Sequence, residues 1–358
     1  TQAGAYYDPK AEKFYYLMTD LPPMAINVMA AHELTHALQD QHFNLDRMME
    51  QLAAPEPGTP RNDDAILALR FLIEGDATYT MTLWQMQNMM GQDLHANPGR
   101  EKQLFKMQAS FDLDQIVQMT KGQAGMLGDN AMADAIKAMD AIPAYILNPL
   151  ISAYMKGAYF VMTVRQEGQW AAVNNGFDDL PASTEQTLHP DKYLADTRDT
   201  PTRFELPEFQ SLKSERWEQI DSAIHGEYYL RLLLRNHGVS KGAAEEAAAG
   251  WDGDIYRAYR SADDEILIVL ATTWDSEQDA KAFADAYKSA LSKKYRNMSA
   301  SSDDTSANPF VFSCGDDPLG HGRVEQRGRE VFVVEGGGKD LMKNVMSDLK
   351  NMSINHMD

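Results

Sequence analysis

The chain has 358 residues, 44% of them hydrophobic and 24% charged, with a formal net charge of −20. That composition excludes disorder as the dominant state and suits a globular protein of two domains. The acidity, with no local basic stripe, argues against a nucleic-acid partner, and the single cysteine, Cys314, excludes an internal disulfide and a multi-cysteine metal site.

The chain opens Thr1-Gln2-Ala3-Gly4, with neither an initiator methionine nor a signal-like segment. It reads as a processed or trimmed protein, and an extracytoplasmic place is favoured over a cytoplasmic one. No stretch approaches about 18 consecutive apolar residues, so no membrane span is expected. Nothing in the pattern bears on oligomeric state.

Two aromatic-rich runs, Gly4–Lys10 and Lys13–Met18, flank an Asp-Pro turn and predict a β-hairpin. Leu21-Pro22-Pro23 stops the strand and starts a helix from about Met24 to Phe43. A loop carrying Pro55, Pro57, Gly58 and Pro60 follows, then Asn62-Asp63-Asp64 caps a second long helix from Ala65 to about Met90. More helix is expected over about 101–120, 130–140 and 144–167, ended by Asn174-Asn175-Gly176. Pro181–Tyr193 is polar, with a short helical piece at most.

Strand-like runs then appear at Asp254–Arg260, Glu265–Ala271, Phe310–Phe312 and Glu330–Val334. They alternate with helical runs at about 221–236, Ala243–Ala249, Gln278–Lys294 and Asp340–Met352. The Lys293-Lys294-Tyr295-Arg296 cluster reads as a solvated helix terminus, and Cys314 as a buried strand end. The expected class is α+β: a mainly helical domain with a small N-terminal hairpin over residues 1–205, then a smaller α+β domain over residues 206–358.

His32-Glu33-Leu34-Thr35-His36 matches HExxH. Helical residues rotate by about 100° each, so His32 and His36 lie about 40° apart on one face and can reach one ion. Glu33 falls about 60° beyond His36, where it can hold a water and take its proton. A chance HExxH is expected in on the order of one in a hundred such chains. Ile26, Met29, Leu34 and Leu38 are expected to bury the helix.

A catalytic zinc needs a third protein ligand. On a continuing helix His42 would be rotated by about 240° from His36, and no glycine intervenes to turn the chain, so His42 reads as structural. Glu74 is the better candidate. It lies among Phe71, Leu72, Ile73 and Ala77, where a carboxylate is costly unless paired or bound to metal. Gly75 beside it is out of place in a helix and would let the two helices approach closely.

With His32, Glu33, His36 and Glu74 in place, the chain resembles the gluzincin metallopeptidases over roughly residues 1–90. HELTHALQDQHF, EGDA and the later STEQTLHP look like an uncharacterised bacterial branch of predicted zinc peptidases. The resemblance implies a zincin-like domain, a bound zinc ion, a peptide or protein substrate, and an edge strand before the HExxH helix that receives the peptide, a place residues 13–18 could fill. Thermolysin-like relatives carry an Asp four residues after the ligand Glu to orient a His; here that position is Thr78, with Asp76 or Asp40 as substitutes. The Gly-x-Met-Glu-Asn signature of the best-known gluzincin aminopeptidases is absent.

Peptide hydrolysis also needs a donor for the developing oxyanion. His189, in its polar Ser183–Pro190 segment, is the first choice and Tyr193 the second, with Tyr154 and Tyr159 behind them. The methionines, Met81, Met86, Met89 and Met90 among them, recur at helical spacing and read as packing. A rival reading keeps the zinc without catalysis and gives the function to a C-terminal domain that contacts a partner protein. A third is a zinc hydrolase acting on a non-peptide amide.

Overall fold

The computed structural model describes residues 5–8, 10–16, 23–53, 58–113, 115, 117–118, 141–295, 297–300, 307–315 and 320–355. The class is α+β. The chain divides into two units, the first Thr1–Ala53 with Ala65–Arg198, the second Ala54–Asp64 with Asp199–Asp358. The division thus falls at residues 198/199 rather than at 205/206, and the stretch ahead of the second long helix goes with the second unit.

In the first unit, β1 (Ala5–Asp8) and β2 (Lys13–Tyr16) form an antiparallel hairpin with Tyr7 opposite Phe14. Helix α1 (Pro23–Phe43) opens on a proline, which needs no hydrogen-bond acceptor there. Helices α2 (Leu45–Ala53), α3 (Asp63–Met90) and α4 (Pro98–Ser110) follow. Asp63 and Asp64 complement the N-terminal dipole of α3, and the Asn97 side chain caps α4 by accepting from the Arg100 amide. The helix expected over 101–120 begins as α4, three residues earlier, and breaks after Ser110, with Leu113, Gln115, Val117 and Gln118 helical again beyond the break; the one expected over 130–140 lies outside the described residues, as do Pro55 and Pro57.

Helix α5 (Ala144–Asp178) runs past Asn174-Asn175-Gly176 and is instead interrupted at Gly168 and Gln169, where Gln169 takes φ +60°. Two short helices, α6 (Thr184–Leu188) and α7 (Pro190–Leu194), complete the unit. Its core joins Leu69, Leu72 and Tyr79 of α3 to Phe105 of α4 and to Phe160, Val161 and Val164 of α5. Gly75 does bring two helices together, but its partner is α5. A Cβ on Gly75 would lie 2.3 Å from the Gly157 carbonyl carbon, so the backbones of α3 and α5 touch there.

The second unit is built on an eight-stranded mixed sheet, in the order β3-β5-β6-β7-β11-β10-β9-β8. These strands are β3 (Arg61–Asn62), β5 (Glu218–Ile224), β6 (Trp251–Arg260), β7 (Ile266–Trp274), β8 (Met298–Ala300), β9 (Phe310–Cys314), β10 (His321–Arg327) and β11 (Glu330–Gly336). Only the β3–β5 pairing is parallel among the described strands. Two further short strands, β4 (Arg203–Glu205) and β12 (Ser353–Asn355), pair separately.

Alternation along β11 sends Val331 and Val333 to one face and Phe332 and Val334 to the other, the period of two that a sheet covered on both sides requires. One face packs Trp251 and Trp274 against Leu230 and Leu234 of α9 (Gly226–Asn236), Ala244 and Ala247 of α10 (Lys241–Ala248) and Phe283 of α11 (Glu277–Lys294). The other packs Leu267 and Val269 against Leu212 of α8 (Gln210–Ser214) and Leu341 and Val345 of α12 (Gly338–Asp348). The segment expected as one helix from residue 221 divides into the end of β5 and α9. Cys314 ends β9 buried.

Candidate metal centre

Helix α1 presents His32 and His36 from consecutive turns, and their Nε2 atoms lie 3.0 Å apart. Glu74 of α3 brings its Oε2 to 3.3 Å from each of them. The three atoms form a near-equilateral triangle, and His32, His36 and Glu74 together qualify as a metal-holding group. Glu74 Oε2 is buried, yet it is in no hydrogen-bond geometry. Buried carboxylate oxygens are normally satisfied, and these three converging atoms are of the types that could hold a metal ion. Burial works to raise the Glu74 pKa, but the two imidazoles outweigh it and hold the carboxyl at about 2. Burial likewise opposes a charge on His36, and contact with Glu74 overcomes it and moves its pKa up.

What α1 buries is not what its apolar pattern suggests. Only His32 and Gln39 are buried on that helix, while Leu34 and Leu38 are more than half exposed, at 56% and 57%. Gln39 was not foreseen, and it does the orienting. Its Oε1 lies 2.9 Å from His36 Nδ1 and accepts a hydrogen bond from the Nδ1–H tautomer, in which Nε2 carries the free lone pair. Its amide nitrogen donates to Asp76 Oδ2 at 2.8 Å and to the Ile73 carbonyl at 3.0 Å. Asp76 therefore acts through Gln39, whereas Asp40 accepts from the Leu45 amide and the Tyr7 hydroxyl. Thr78 is buried with its hydroxyl unpartnered among the described residues, so it does not take the orienting role. His32 Nδ1 is buried without a hydrogen-bond partner among the described residues, and the ring stacks on Tyr154 at 5.5 Å.

Glu33 sits beside the triangle, where its Oε2 accepts from the Tyr7 backbone N–H at 2.9 Å. The strand whose backbone meets Glu33 of α1 is therefore β1, while Leu17 and Met18 of the expected edge strand lie outside the described residues. Tyr154 of α5 meets the cluster by stacking on His32. Burial, then the negative charges of Glu74 and Glu33, push its pKa up, so the phenol keeps its proton at neutral pH. His36, Glu74, Tyr7 and Tyr154 all line one cavity of about 630 Å3.

The two residues preferred from sequence for the oxyanion do not join this cavity. The Tyr193 hydroxyl donates to the Asp179 carbonyl at 2.9 Å, and its ring packs edge-on against Phe160. His189 is the junction of α6 and α7, with its backbone N–H capping α6 on the Glu185 carbonyl. The polar Ser183–Pro190 segment is thus a pair of capped helical turns, with the Ser183 side chain accepting from the Gln186 amide. Tyr154, ranked behind them, is the hydroxyl that the fold brings to the cluster. His42 is exposed and stays outside it.

No helix among the described residues is long and apolar enough to cross a membrane. Residues 215–346, the greater part of the sheet-containing unit, match the model of a domain of unknown function, DUF8575. No curated protein and no solved structure gives a significant match.

Proposed function

We propose that the protein is a zinc-dependent peptidase of the gluzincin kind, with His32, His36 and Glu74 as ligands and Glu33 as general base. The observation that carries this reading is the convergence of two Nε2 atoms and one carboxylate oxygen within 3.0 to 3.3 Å of one another. Nitrogen and oxygen ligands at about 2.0–2.2 Å from a tetrahedral zinc would stand about 3.3 Å apart. Two imidazoles and a carboxylate on an open cavity also suit zinc better than calcium or magnesium, which take oxygen donors in larger number.

When bound, zinc would supply Lewis acidity toward a carbonyl oxygen and make water a competent nucleophile near neutral pH. The residues do the rest. Glu33 Oε2 is anchored by the Tyr7 amide, which leaves Oε1 to take the proton of the attacking water and pass it to the departing amine. Tyr154, still protonated, can donate to the oxygen that becomes negative as the carbonyl is attacked. Gln39 and Asp76 keep the His36 ring in one tautomer and one orientation. Strand β1, next to Glu33, is the stretch of backbone best placed to pair with a peptide.

The test is Glu33→Gln, assayed on a mixed peptide library with zinc content measured in parallel. The variant is expected to keep its zinc and lose cleavage by about a hundredfold to ten-thousandfold, the usual range for removal of a general base. Equal cleavage by variant and parent would overturn the mechanism. Zinc in the parent without cleavage of any peptide would leave a metal-containing binding module.

A further inference from the structure

The cavity beside the metal cluster is bordered by a cation. Arg70 lines it, and among the described residues its guanidinium makes no hydrogen bond or ion pair. Arg70 is exposed, so water satisfies its guanidinium, and its five donors, which match a carboxylate in a planar fork, are available to a ligand in the cavity. Away from the metal cluster much of the lining is apolar, with Met49, Ile73, Ile146, Leu150 and Ile151 among it. Asp46 is the other charged side chain besides Glu74, and it is not paired with Arg70 although both border the same space.

Arg70 stands four residues before Glu74 on α3, which is one turn and about 6 Å along the axis. An extended peptide advances about 3.5 Å per residue. A chain whose carbonyl lies at the Glu74 end of the cavity therefore brings its next one or two residues level with Arg70. We propose that Arg70 binds the free carboxylate of a peptide C-terminus, so that the protein removes one or two residues from that end and takes an aliphatic or aromatic side chain in the cavity. The inference rests on the peptidase reading and decides between cleavage at an end and cleavage within a chain. Asp46 adds to the selectivity, because a second anion in the same space would be repelled by it.

Two N-acetylated pentapeptides ending in Phe-Leu, one with a free C-terminal carboxylate and one with a C-terminal amide, form the test. Cleavage by the parent and by Arg70→Gln is followed by mass spectrometry. Binding of both peptides to Glu33→Gln, with and without Arg70→Gln, is measured by calorimetry. The parent is expected to shorten the free acid from its C-terminus about tenfold or more faster than the amide, the loss of one charge-assisted contact at a partly solvated site. Arg70→Gln is expected to treat the two peptides alike, and Glu33→Gln to bind the acid about tenfold more tightly than the amide. Cleavage within the chain, equal rates on acid and amide, or a preference that survives Arg70→Gln would overturn the inference. A binding preference that depends on Arg70 without any cleavage would uphold the carboxylate site and overturn the peptidase reading, so the two failures are distinct. Arg70 is exposed and, among the described residues, unpaired, so its replacement is expected to leave the fold intact.

Discussion

Glu74 and Glu335 are both carboxylates taken into the protein, one in each unit, and their surroundings differ in kind. Glu335, on β11, is fully buried and saturated. It accepts from the Tyr287 hydroxyl at 2.5 Å, from Lys294 Nζ at 2.7 Å and from the Tyr295 hydroxyl. Lys294 is thereby part of an internal network rather than of a solvated helix end. Glu74 meets two imidazole nitrogens that also face each other, and its buried oxygen makes no proper hydrogen bond. A structural carboxylate is surrounded by donors of its own. A ligand carboxylate is surrounded by other ligands. The contrast separates a network that is complete within the chain from one that a cation would complete.

Substitution tests the contrast directly, and the largest effect belongs to Glu335. Glu335→Ala strands the Lys294 ammonium and two phenols, and is expected to lower the free energy of unfolding by about 3–5 kcal/mol in urea titration. Its zinc content should not change. Glu74→Ala should do the converse. Zinc affinity, read by competition with a chelator, is expected to fall by more than the roughly 10- to 100-fold typical of outer-sphere changes, with far-UV circular dichroism unaltered. If Glu335→Ala released zinc, or Glu74→Ala kept it, the distinction between the two carboxylates would collapse.

Gly157→Ala probes how Glu74 is held relative to Tyr154. A Cβ there would lie 2.2 Å from the Phe71 carbonyl oxygen, so α3 and α5 must separate. A cost of about 1–3 kcal/mol is expected in the same titration, along with slower cleavage, because Tyr154 and Glu74 sit on opposite sides of that contact. A smaller effect is expected for Gln39→Ala. It frees the His36 ring, and zinc affinity should fall by about 10- to 100-fold with little change in overall stability. An unchanged affinity would show that Gln39 has no orienting role.

How much of this was legible in the sequence follows from the range of each signal. His32, Glu33 and His36 are readable because four residues of helix suffice to align them, and Glu74 because an acid among Leu72, Ile73 and Ala77 is conspicuous. Gln39, Tyr154 and Arg70 have no such local mark. Their roles exist only once α1, α3 and α5 are packed, and a glutamine, a tyrosine or an arginine in a helix is otherwise unremarkable. The oxyanion choice goes to His189 and Tyr193 because a polar run with one histidine resembles a site loop, whereas Ser183 caps α6 and Glu185 pairs with Lys192. The apolar residues of α1 misled for a related reason: Leu34 and Leu38 are exposed, and the buried face carries the site.

The same holds for the fold. Strands β6, β7, β9 and β11 are rich in β-branched and aromatic residues and stand out in sequence, whereas β10, His-Gly-Arg-Val-Glu-Gln-Arg, is polar at nearly every position and is recognised only between its neighbours. Asn174-Asn175-Gly176 looks like a helix stop, yet α5 continues through it because Val173 and Phe177 are buried against the core; its actual irregularity is at Gly168 and Gln169.

The central claim is that one zinc ion sits among His32, His36 and Glu74, and anomalous diffraction at the zinc edge from crystals of the purified protein tests it most directly. The account predicts a single strong peak about 2.0–2.2 Å from the Nε2 atoms of His32 and His36 and from a carboxylate oxygen of Glu74. A zinc-soaked crystal with no peak there, or with its peak at another set of residues, would contradict it.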